Sequence, residues 1–535
     1  MAVTKHKFLL SQMEKYGRIE EVTEDMGMLK SISLEHYKCF KDETTIDIAP
    51  LTVLCGVNSS GKSSILKSLL MLKQSYENTL SFNELTFNGR YVDNGFFEDI
   101  VYNRDGNIFT IKNSFEIIKP PKNKSIGVTE SDATSFNELS KIFKKYEHEF
   151  NQKIDCFKFD ISMDVYGLLN ETDISKKIKN VILKYKIDII PSKQELYYYQ
   201  PISDKKIGII LTRTPNNDNK NFGRKYDVTI NNIPYEMGSD IKVFNATIED
   251  CSCYFEGVKL VKLYKTNPKI SNLNMIFPNI YSIFRIMAYQ YKNIKHISPL
   301  RNTPTRRYIY DENVNSTGNG GEFTAQALYA YSEKPIIFIE PPVNDVLILE
   351  TLATSDLMTA TKKWSNYLDI GNLTIEPHEE MLKLNISNDN IVDVGFGVGQ
   401  GLPVIVSGLL LNKYETLMLE QPEIHLHPNL QMKMADFLIT QAYSSKNIIV
   451  ETHSDHIINR ITRRVMEDKT GTLQKLIKIY FVQGHNIDCP IYKDITFDPV
   501  DGLVNAPNEF FTQFGSELMC ITKTGMMNAK EGTKW

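Results

Sequence analysis

The sequence has no long hydrophobic run and no strong net charge, and both absences limit its function. No stretch of about 18 consecutive apolar residues occurs, so no membrane-spanning helix and no membrane partner are expected. Residues 1–17 lack the apolar core and the small-residue cleavage site of a secretory signal. The net charge of −4 gives no indication of a protein that coats nucleic acid through bulk charge.

Cysteine is scarce, and the seven cysteines are scattered along the chain. Cys251 and Cys253 form a C-x-C pair without a second pair, so a structural zinc site is not expected. Free thiols are typical of a reducing compartment, which predicts a cytoplasmic protein. Sustained heptads are absent as well, which argues against the long coiled-coil arms of chromosome-maintenance proteins.

A phosphate-binding loop is the most informative motif that is present. Residues 56–64, GVNSSGKSS, follow the apolar run LTVLC and precede a helical pattern. Backbone N–H groups of such a loop surround a β-phosphate, Lys62 reaches the β- and γ-phosphates, and the Ser63 hydroxyl is a Mg²⁺ ligand. The predicted nucleotide-contacting residues are Gly56, Asn58, Ser59, Ser60, Gly61, Lys62, Ser63 and Ser64.

Strand and helix patterns surround this loop and resume near residue 295. We predict a strand meander over 29–56, a helix over 62–75, an ordered loop over 87–103 and helices over 135–150, 322–331, 343–368, 402–412 and 427–444. Strands are predicted over 373–377, 381–387, 416–420 and 447–453. The expected domains are an N-terminal ATPase lobe (1–110), an insertion (111–290) and a C-terminal ATPase lobe (291–535). Alternating strands and helices predict an α/β fold with a largely parallel core sheet, flanking helices and a β-rich insertion.

Two of these strands end in polar residues suited to a nucleotide site. TLMLE (416–420) ends in Glu420, which predicts a carboxylate beside Mg²⁺ at the carboxyl edge of the sheet. NIIVETHSDH (447–456) brings His453 to the end of a second strand. Three interpretations of the histidines stay open at this point: metal ligands, surface residues, or a γ-phosphate sensor at His453. They are His425, His427, His453 and His456.

The ordered set GVNSSGKSS, DVGFGVGQG, LMLEQPEIHLHP and VETHSDH resembles an ABC-type ATPase head. It is most similar to AAA-type ATPases of the overcoming-lysogenisation-defect group, notably the PtuA subunits of Septu and Septu-like retron anti-phage systems. The resemblance implies ATP and Mg²⁺ as cofactors, with Lys62, Ser63 and Glu420 as their ligands and His453 as the sensor. It places Gly395, Gly397, Gly399 and Gln400 in a signature loop that grips a nucleotide held by another subunit.

Two residues depart from the pattern of the family. Gly397 stands where the signature serine is usual, so one hydroxyl contact between subunits is absent. Gln421 stands where a glutamate usually polarises the attacking water, and an amide cannot accept a proton. The sequence therefore predicts slow hydrolysis and a long-lived ATP-bound dimer, with Glu423 as the candidate substitute for the missing carboxylate.

Related nucleases carry a metal-dependent Toprim domain after the ATPase head, and this chain lacks its signature. Gln483 stands where the early glutamate would be, and no Asp-x-Asp pair follows it. The resemblance implies instead a homodimer or higher oligomer that regulates an HNH nuclease partner of the PtuB type, in retron systems together with a reverse transcriptase and its RNA–DNA product. Two alternatives remain: a DNA-repair-type ATPase that binds nucleic acid directly, and a non-hydrolysing ATP sensor.

Overall fold

The computed structural model describes residues 28–57, 60–77, 85–104, 106–118, 156–168, 180–195, 198–201, 207–215, 225–231, 233–237, 240–244, 251–256, 259–265, 287–311, 313–483, 491–499 and 502–507. Strands are numbered in chain order: β1 (Met28–Glu35), β2 (Thr44–Asp47), β3 (Leu51–Gly56), β4 (Ile108–Ile118), β5 (Cys156–Leu168), β6 (Asn180–Glu195), β7 (Tyr198–Pro201), β8 (Ile207–Pro215), β9 (Lys225–Asn231), β10 (Ile233–Met237), β11 (Asp240–Phe244), β12 (Cys251–Glu256), β13 (Lys259–Lys265), β14 (Lys295–Ile297), β15 (Tyr308–Ile309), β16 (Pro335–Ile339), β17 (Leu352–Asp356), β18 (Leu373–His378), β19 (Met381–Ile386), β20 (Asp389–Asn390), β21 (Thr416–Glu420), β22 (Asn447–Glu451), β23 (Ile477–Gln483), β24 (Ile491–Asp498) and β25 (Gly502–Val504).

Helices of the described residues are numbered in the same way: α1 (Lys62–Glu77), α2 (Phe97–Ile100), α3 (Thr324–Ala330), α4 (Leu357–Tyr367), α5 (Phe396–Leu410), α6 (Pro428–Tyr443), α7 (Asp455–Glu467) and α8 (Thr472–Leu476). Short 3₁₀ turns cover Tyr102–Arg104 and Ile391–Asp393. Within these ranges no helix is long and apolar enough to cross a bilayer.

A seven-stranded sheet with the order β14-β21-β22-β3-β23-β24-β25 forms the core. The pairs from β14 to β23 are all parallel, and β24 and β25 add an antiparallel edge. Strands β3, β21 and β22 are apolar and almost fully buried, as expected for strands covered on both faces. Their carboxyl ends therefore meet at one edge, where α/β proteins place ligands. The predicted α/β class with a largely parallel core is confirmed.

A ten-stranded antiparallel sheet combines β1 and β2 with eight of the strands between residues 108 and 265, and β10 and β11 form a separate two-stranded sheet. The order in the ten-stranded sheet is β13-β12-β9-β8-β6-β5-β4-β1-β2, with β7 paired to β6. The domain boundary expected at residue 110 falls inside β4, which pairs with β1 on one side and β5 on the other. This sheet is therefore shared between the N-terminal lobe and the insertion. The helix predicted over 135–150 lies outside the described residues.

Two apolar clusters cover the faces of the parallel sheet. On one face, helix α1 packs between the two large sheets, and the cluster includes Leu29, Ile65, Leu69, Met418 and Ile449. On the other face, Leu417, Leu419 and Val450 pack against helices α4 to α7. This sandwich fixes the start of α1 against the ends of β21 and β22, which positions the candidate site.

The meander predicted over 29–56 is wrong in one respect. Strands β1 and β2 pair as an antiparallel hairpin, but β3 lies between β22 and β23 in the parallel sheet. The sequence of β2 is only partly buried, whereas β3 is buried along almost its whole length. Burial on both faces therefore takes β3 into the core, after the turn at Pro50.

The helix predicted over 343–368 is wrong in its first half. Asn344 and Asp345 have φ angles of 49° and 62°, which an α-helix does not allow. Strand β17 then pairs with β16, and α4 begins only after Asp356, whose Oδ1 accepts a hydrogen bond of 2.8 Å from the Thr359 N–H. The predicted helices at α1, α3 and α6 and the strands at β18, β19, β21 and β22 are confirmed within a few residues.

Candidate nucleotide-binding site

The phosphate-binding loop leaves β3 at a position that requires glycine. Gly56 has a φ angle of +130°, and a Cβ there would lie 2.3 Å from the Val482 carbonyl oxygen of β23. Gly61, with a φ angle of +101°, closes the loop directly before α1. Asn58 and Ser59 lie outside the described residues. The loop therefore turns within the crowded edge of the sheet and delivers Lys62 and Ser63 at the start of α1.

Lys62 is buried inside this loop. Its Nζ donates to the carbonyl oxygens of Gly56 at 3.0 Å and Val57 at 2.5 Å. Burial lowers the pKa of Lys62, and the Glu451 carboxylate raises it. A cation held by two neutral carbonyl groups gains a stronger partner when a phosphate enters the loop. The position predicted from the sequence is therefore suited to bind a phosphate group.

Ser63 contacts a carboxylate that the sequence analysis missed. Its Oγ donates to Oε1 of Glu451 at 2.9 Å. Glu451 is the last residue of β22, and it is in register with Glu420, the last residue of β21. Burial raises the pKa of Glu451, and the neighbouring Glu420 raises it further. The strand-end rule that identified Glu420 also applies to NIIVE, so a signal for Glu451 was present.

The residues around Ser63 fit a Mg²⁺ ion. Hydroxyl and carboxylate oxygens are hard ligands, and Mg²⁺ is commonly held by one or two carboxylates together with substrate phosphates. Glu420 ends the strand beside Glu451 and supplies a carboxylate for such an ion, and the buried Oε2 of Glu451, which has no hydrogen-bond partner, can accept a proton or a hydrogen bond. The described part of the chain, this site included, has no cluster of three or more His, Cys, Asp or Glu side chains that could hold a metal, so the protein would supply few ligands besides the phosphates.

Two further residues position Glu420, and neither was identified from the sequence. Nε2 of His296 lies 2.7 Å from Oε1 of Glu420. The Arg301 guanidinium donates to the carbonyl oxygens of Glu420 at 3.4 Å and Gln421 at 3.2 Å. His296 belongs to β14, which pairs with β21 across 124 positions of sequence. This long-range pairing leaves no local signal that could have pointed to His296.

Gln421 lies in the tight turn that directly follows β21. Its φ angle is 45°, and its N–H donates to the Glu451 carbonyl oxygen at 2.7 Å. Glu423, the predicted substitute for the missing carboxylate, is 8% exposed, and its Oε1 accepts a hydrogen bond of 2.7 Å from the His453 N–H. Burial raises the pKa of Glu423. These contacts suit Glu423 to positioning His453.

His453 follows β22 by two residues. Desolvation lowers the pKa of His453, and the nearby Lys62 ammonium lowers it further, so the imidazole is neutral near pH 7. A neutral imidazole can accept or donate one hydrogen bond to a phosphate. The other histidines have different environments: His427 caps α6 through Nδ1, and Nε2 of His456 lies 3.7 Å from Asp455.

The glycine-rich segment 395–401 forms the start of α5. Gly395 is the residue before the helix, and a Cβ there would meet no atom within 4 Å. A Cβ at Gly397 would lie 2.8 Å from the His425 carbonyl oxygen, and one at Gly399 would lie 2.4 Å from Pro304. Gln400 is 1% exposed, so its side chain faces the protein interior. The helix start expected for a signature loop is present, and its contact with a second nucleotide stays a prediction.

Comparison with known proteins identifies the family. The family described as the AAA ATPase domain matches residues 28–458. No curated protein matches at a significant level. Solved structures of SMC head domains are similar at low identity. A head bound to the C-winged helix domain of ScpA is 9% identical and has a TM-score of 0.38, covering 88% of this chain and 98% of that one.

Two further SMC heads give similar values. The head domain from Thermotoga maritima is 7% identical with a TM-score of 0.33, covering 87% of this chain and 98% of that one. A head with an extended coiled coil from Pyrococcus furiosus is 9% identical with a TM-score of 0.36, covering 88% and 97%. The family match spans most of the sequence, and the chain therefore belongs to the AAA ATPase domain family.

Proposed function

We propose that this chain binds Mg·ATP at the edge formed by α1, β21 and β22 and hydrolyses it. In this proposal Glu451 accepts the proton of the attacking water, a role that the amide of Gln421 cannot take. The observation that carries the proposal is the 2.9 Å hydrogen bond from Ser63 to Glu451, in register with Glu420. A carboxylate whose pKa is raised by burial is a better general base near neutral pH than an ordinary glutamate. An amide has no such capacity.

The other residues bind and orient the nucleotide. Lys62 neutralises the phosphates inside the loop, and neutral His453 hydrogen-bonds the terminal phosphate. Ser63 and Glu420 would hold Mg²⁺, which when bound would supply neutralisation of the charge on the phosphate oxygens. His296 and Arg301 act through Glu420 and the following turn, which they hold in place.

We further propose that the chain works as a homodimer or higher oligomer that regulates an effector. The start of α5, with Gly395, Gly397 and Gly399, supports this assembly because its N–H groups suit a phosphate held by another subunit. From the resemblance to Septu ATPases, the effector is an HNH nuclease of the PtuB type in an anti-phage system. In a retron system the assembly also includes a reverse transcriptase and its RNA–DNA product.

Phage protection tests the regulatory part of this proposal. Cells that carry the gene together with its neighbouring genes are challenged with phage. One strain produces the wild-type chain, and the other produces the Lys62→Ala variant. We expect protection to require Lys62, and a matched change at exposed Lys475, Lys475→Ala, to leave it intact. Protection that persists with Lys62→Ala would remove ATP binding from the defence function.

A further inference from the structure

We propose that an open pocket beside the edge strand β14, separate from the phosphate-binding loop, binds a phosphate-bearing small molecule. The pocket has a volume of about 460 Å³ and is bounded by the end of α1, the β14 segment, the loop 315–319 and the end of α5. Its most distinctive property is the number of cationic side chains in its wall, which are Lys73, Arg90, Lys292, Lys295 and Lys334.

The acidic residues of the wall do not balance these cations. Glu77 is paired with Lys73 at 2.6 Å, and Glu415 accepts hydrogen bonds from the Asn412 N–H and side-chain amide. They are the two acidic side chains lining the pocket, against five cationic ones, and Arg90 has a further carboxylate partner, Glu322, at 3.6 Å. Positive charge gathered in a concave site attracts anions from solution.

The surroundings of Lys73 show that the cationic side chains of the pocket lie close to one another. Lys73 is 4% exposed, and its Nζ donates to the Lys292 carbonyl oxygen at 2.8 Å. Burial lowers the pKa of Lys73, Glu77 raises it, and the like charges of Lys295 and Arg90 lower it again. A phosphate group in the pocket would relieve this repulsion between neighbouring cations.

His296 lies between the pocket and the nucleotide site. It lines the pocket, is 5% exposed, and uses Nε2 to contact Glu420 at 2.7 Å. Its Nδ1 is buried and has no hydrogen-bond partner, which is unusual for a buried polar atom. Through the Nε2 contact His296 connects the wall of the pocket to Glu420, the carboxylate assigned to Mg²⁺.

The shape of the pocket favours a small molecule. Ligand pockets commonly measure about 300–1,000 Å³, so the space accommodates a nucleotide-sized phosphate ester. The polar loop 315–319, with its serine, threonine, asparagine and glycine residues, adds hydroxyl and amide donors. The chemistry of the wall therefore selects phosphate groups, with hydrogen-bond donors around them.

Inorganic tripolyphosphate is the probe for a calorimetric test on the full chain. All variants carry Lys62→Ala, and the buffer contains EDTA, so that binding at the nucleotide site is suppressed. We expect binding of one equivalent, which the pair Lys292→Gln and Lys295→Gln weakens about tenfold or more through loss of charge-assisted contacts. The control is Lys475→Gln, an exposed lysine of α8, which should leave binding unchanged.

Absence of binding would overturn the proposal, and so would binding that the pocket pair leaves unchanged. Binding of a single-stranded oligonucleotide without any binding of tripolyphosphate would overturn it as well, because the ligand would then be a nucleic acid. A chain that carries Lys292→Gln and Lys295→Gln but keeps Lys62 should still bind ATP, which verifies that the substitutions in the pocket leave the fold intact. Since the test does not use the nucleotide site, its failure would leave the proposed ATPase function standing.

Discussion

At the scale of single residues, two carboxylates at neighbouring strand ends define the chemistry of the site. Glu420 and Glu451 are adjacent because β21 and β22 pair in register, and only Glu451 contacts Ser63. Glu420 is instead held by His296. The two glutamates thus differ in their partners, which supports a division of roles between metal binding and proton transfer.

The substitutions Gln421→Glu and Glu451→Gln, made singly and together, test this division of roles between Glu420 and Glu451. We expect Gln421→Glu alone to change single-turnover ATP hydrolysis by less than about threefold, because Glu451 already accepts the proton. Combined with Glu451→Gln, the same change should restore part of the lost rate. A large rise in turnover with Gln421→Glu alone would show that the wild-type site lacks a base, as the sequence by itself suggests.

At the scale of elements, a buried ion network joins α6 to α7, the helix that follows His453. Asp436 is fully buried and accepts hydrogen bonds from Arg460 and Arg464, with the Tyr367 hydroxyl donating at 2.6 Å. Arg464 is 3% exposed. The network fixes the helix that follows His453 relative to the parallel sheet.

Removal of the shared carboxylate should therefore destabilise the fold strongly. Asp436→Ala leaves two buried guanidinium groups without their main partner, which we expect to lower the free energy of unfolding by about 3–5 kcal/mol. The control is Arg463→Ala on α7, the helix that carries Arg460 and Arg464. The half-exposed ion pairs of Arg463 contribute about 1 kcal/mol or less. Urea denaturation compares the two variants, and equal losses would contradict a special role for the buried network.

Local sequence patterns were sufficient for the elements that carry the phosphate-binding loop. An apolar run before glycine predicted β3, and helical spacing after Lys62 predicted α1. The prediction of one helix over 343–368 was wrong in its first half. The apolar residues there have helical spacing, but the pairing between β16 and β17 decides the structure. Likewise, the contact between Ser63 and Glu451 depends on pairing across 388 positions of sequence, which no local pattern reports.

At the scale of the whole molecule, the proposed dimer can be tested without disturbing the fold. Gly395 precedes α5 with open space around it, so Gly395→Glu adds bulk and negative charge where the second nucleotide would bind. In a Glu451→Gln background, we expect Mg·ATP to produce a dimer in light-scattering chromatography. Gly395→Glu should prevent this dimer while ATP binding to each chain persists.

Two outcomes would argue against ATP-dependent dimerisation through α5. One is a mass that does not change with Mg·ATP, and the other is a dimer that tolerates Gly395→Glu. The matched control is Lys62→Ala, which should not bind ATP. This variant should therefore remain a monomer under all these conditions.

The central claim is that Glu451 is the base of an active Mg·ATP site. The most direct measurement is single-turnover hydrolysis by Glu451→Gln, with ATP affinity determined on the same preparation. We predict a rate about 100-fold or more below wild type, the usual effect of losing a general base, with the Kd for ATP nearly unchanged. A Glu451→Gln chain that hydrolyses ATP at the wild-type rate would contradict this account.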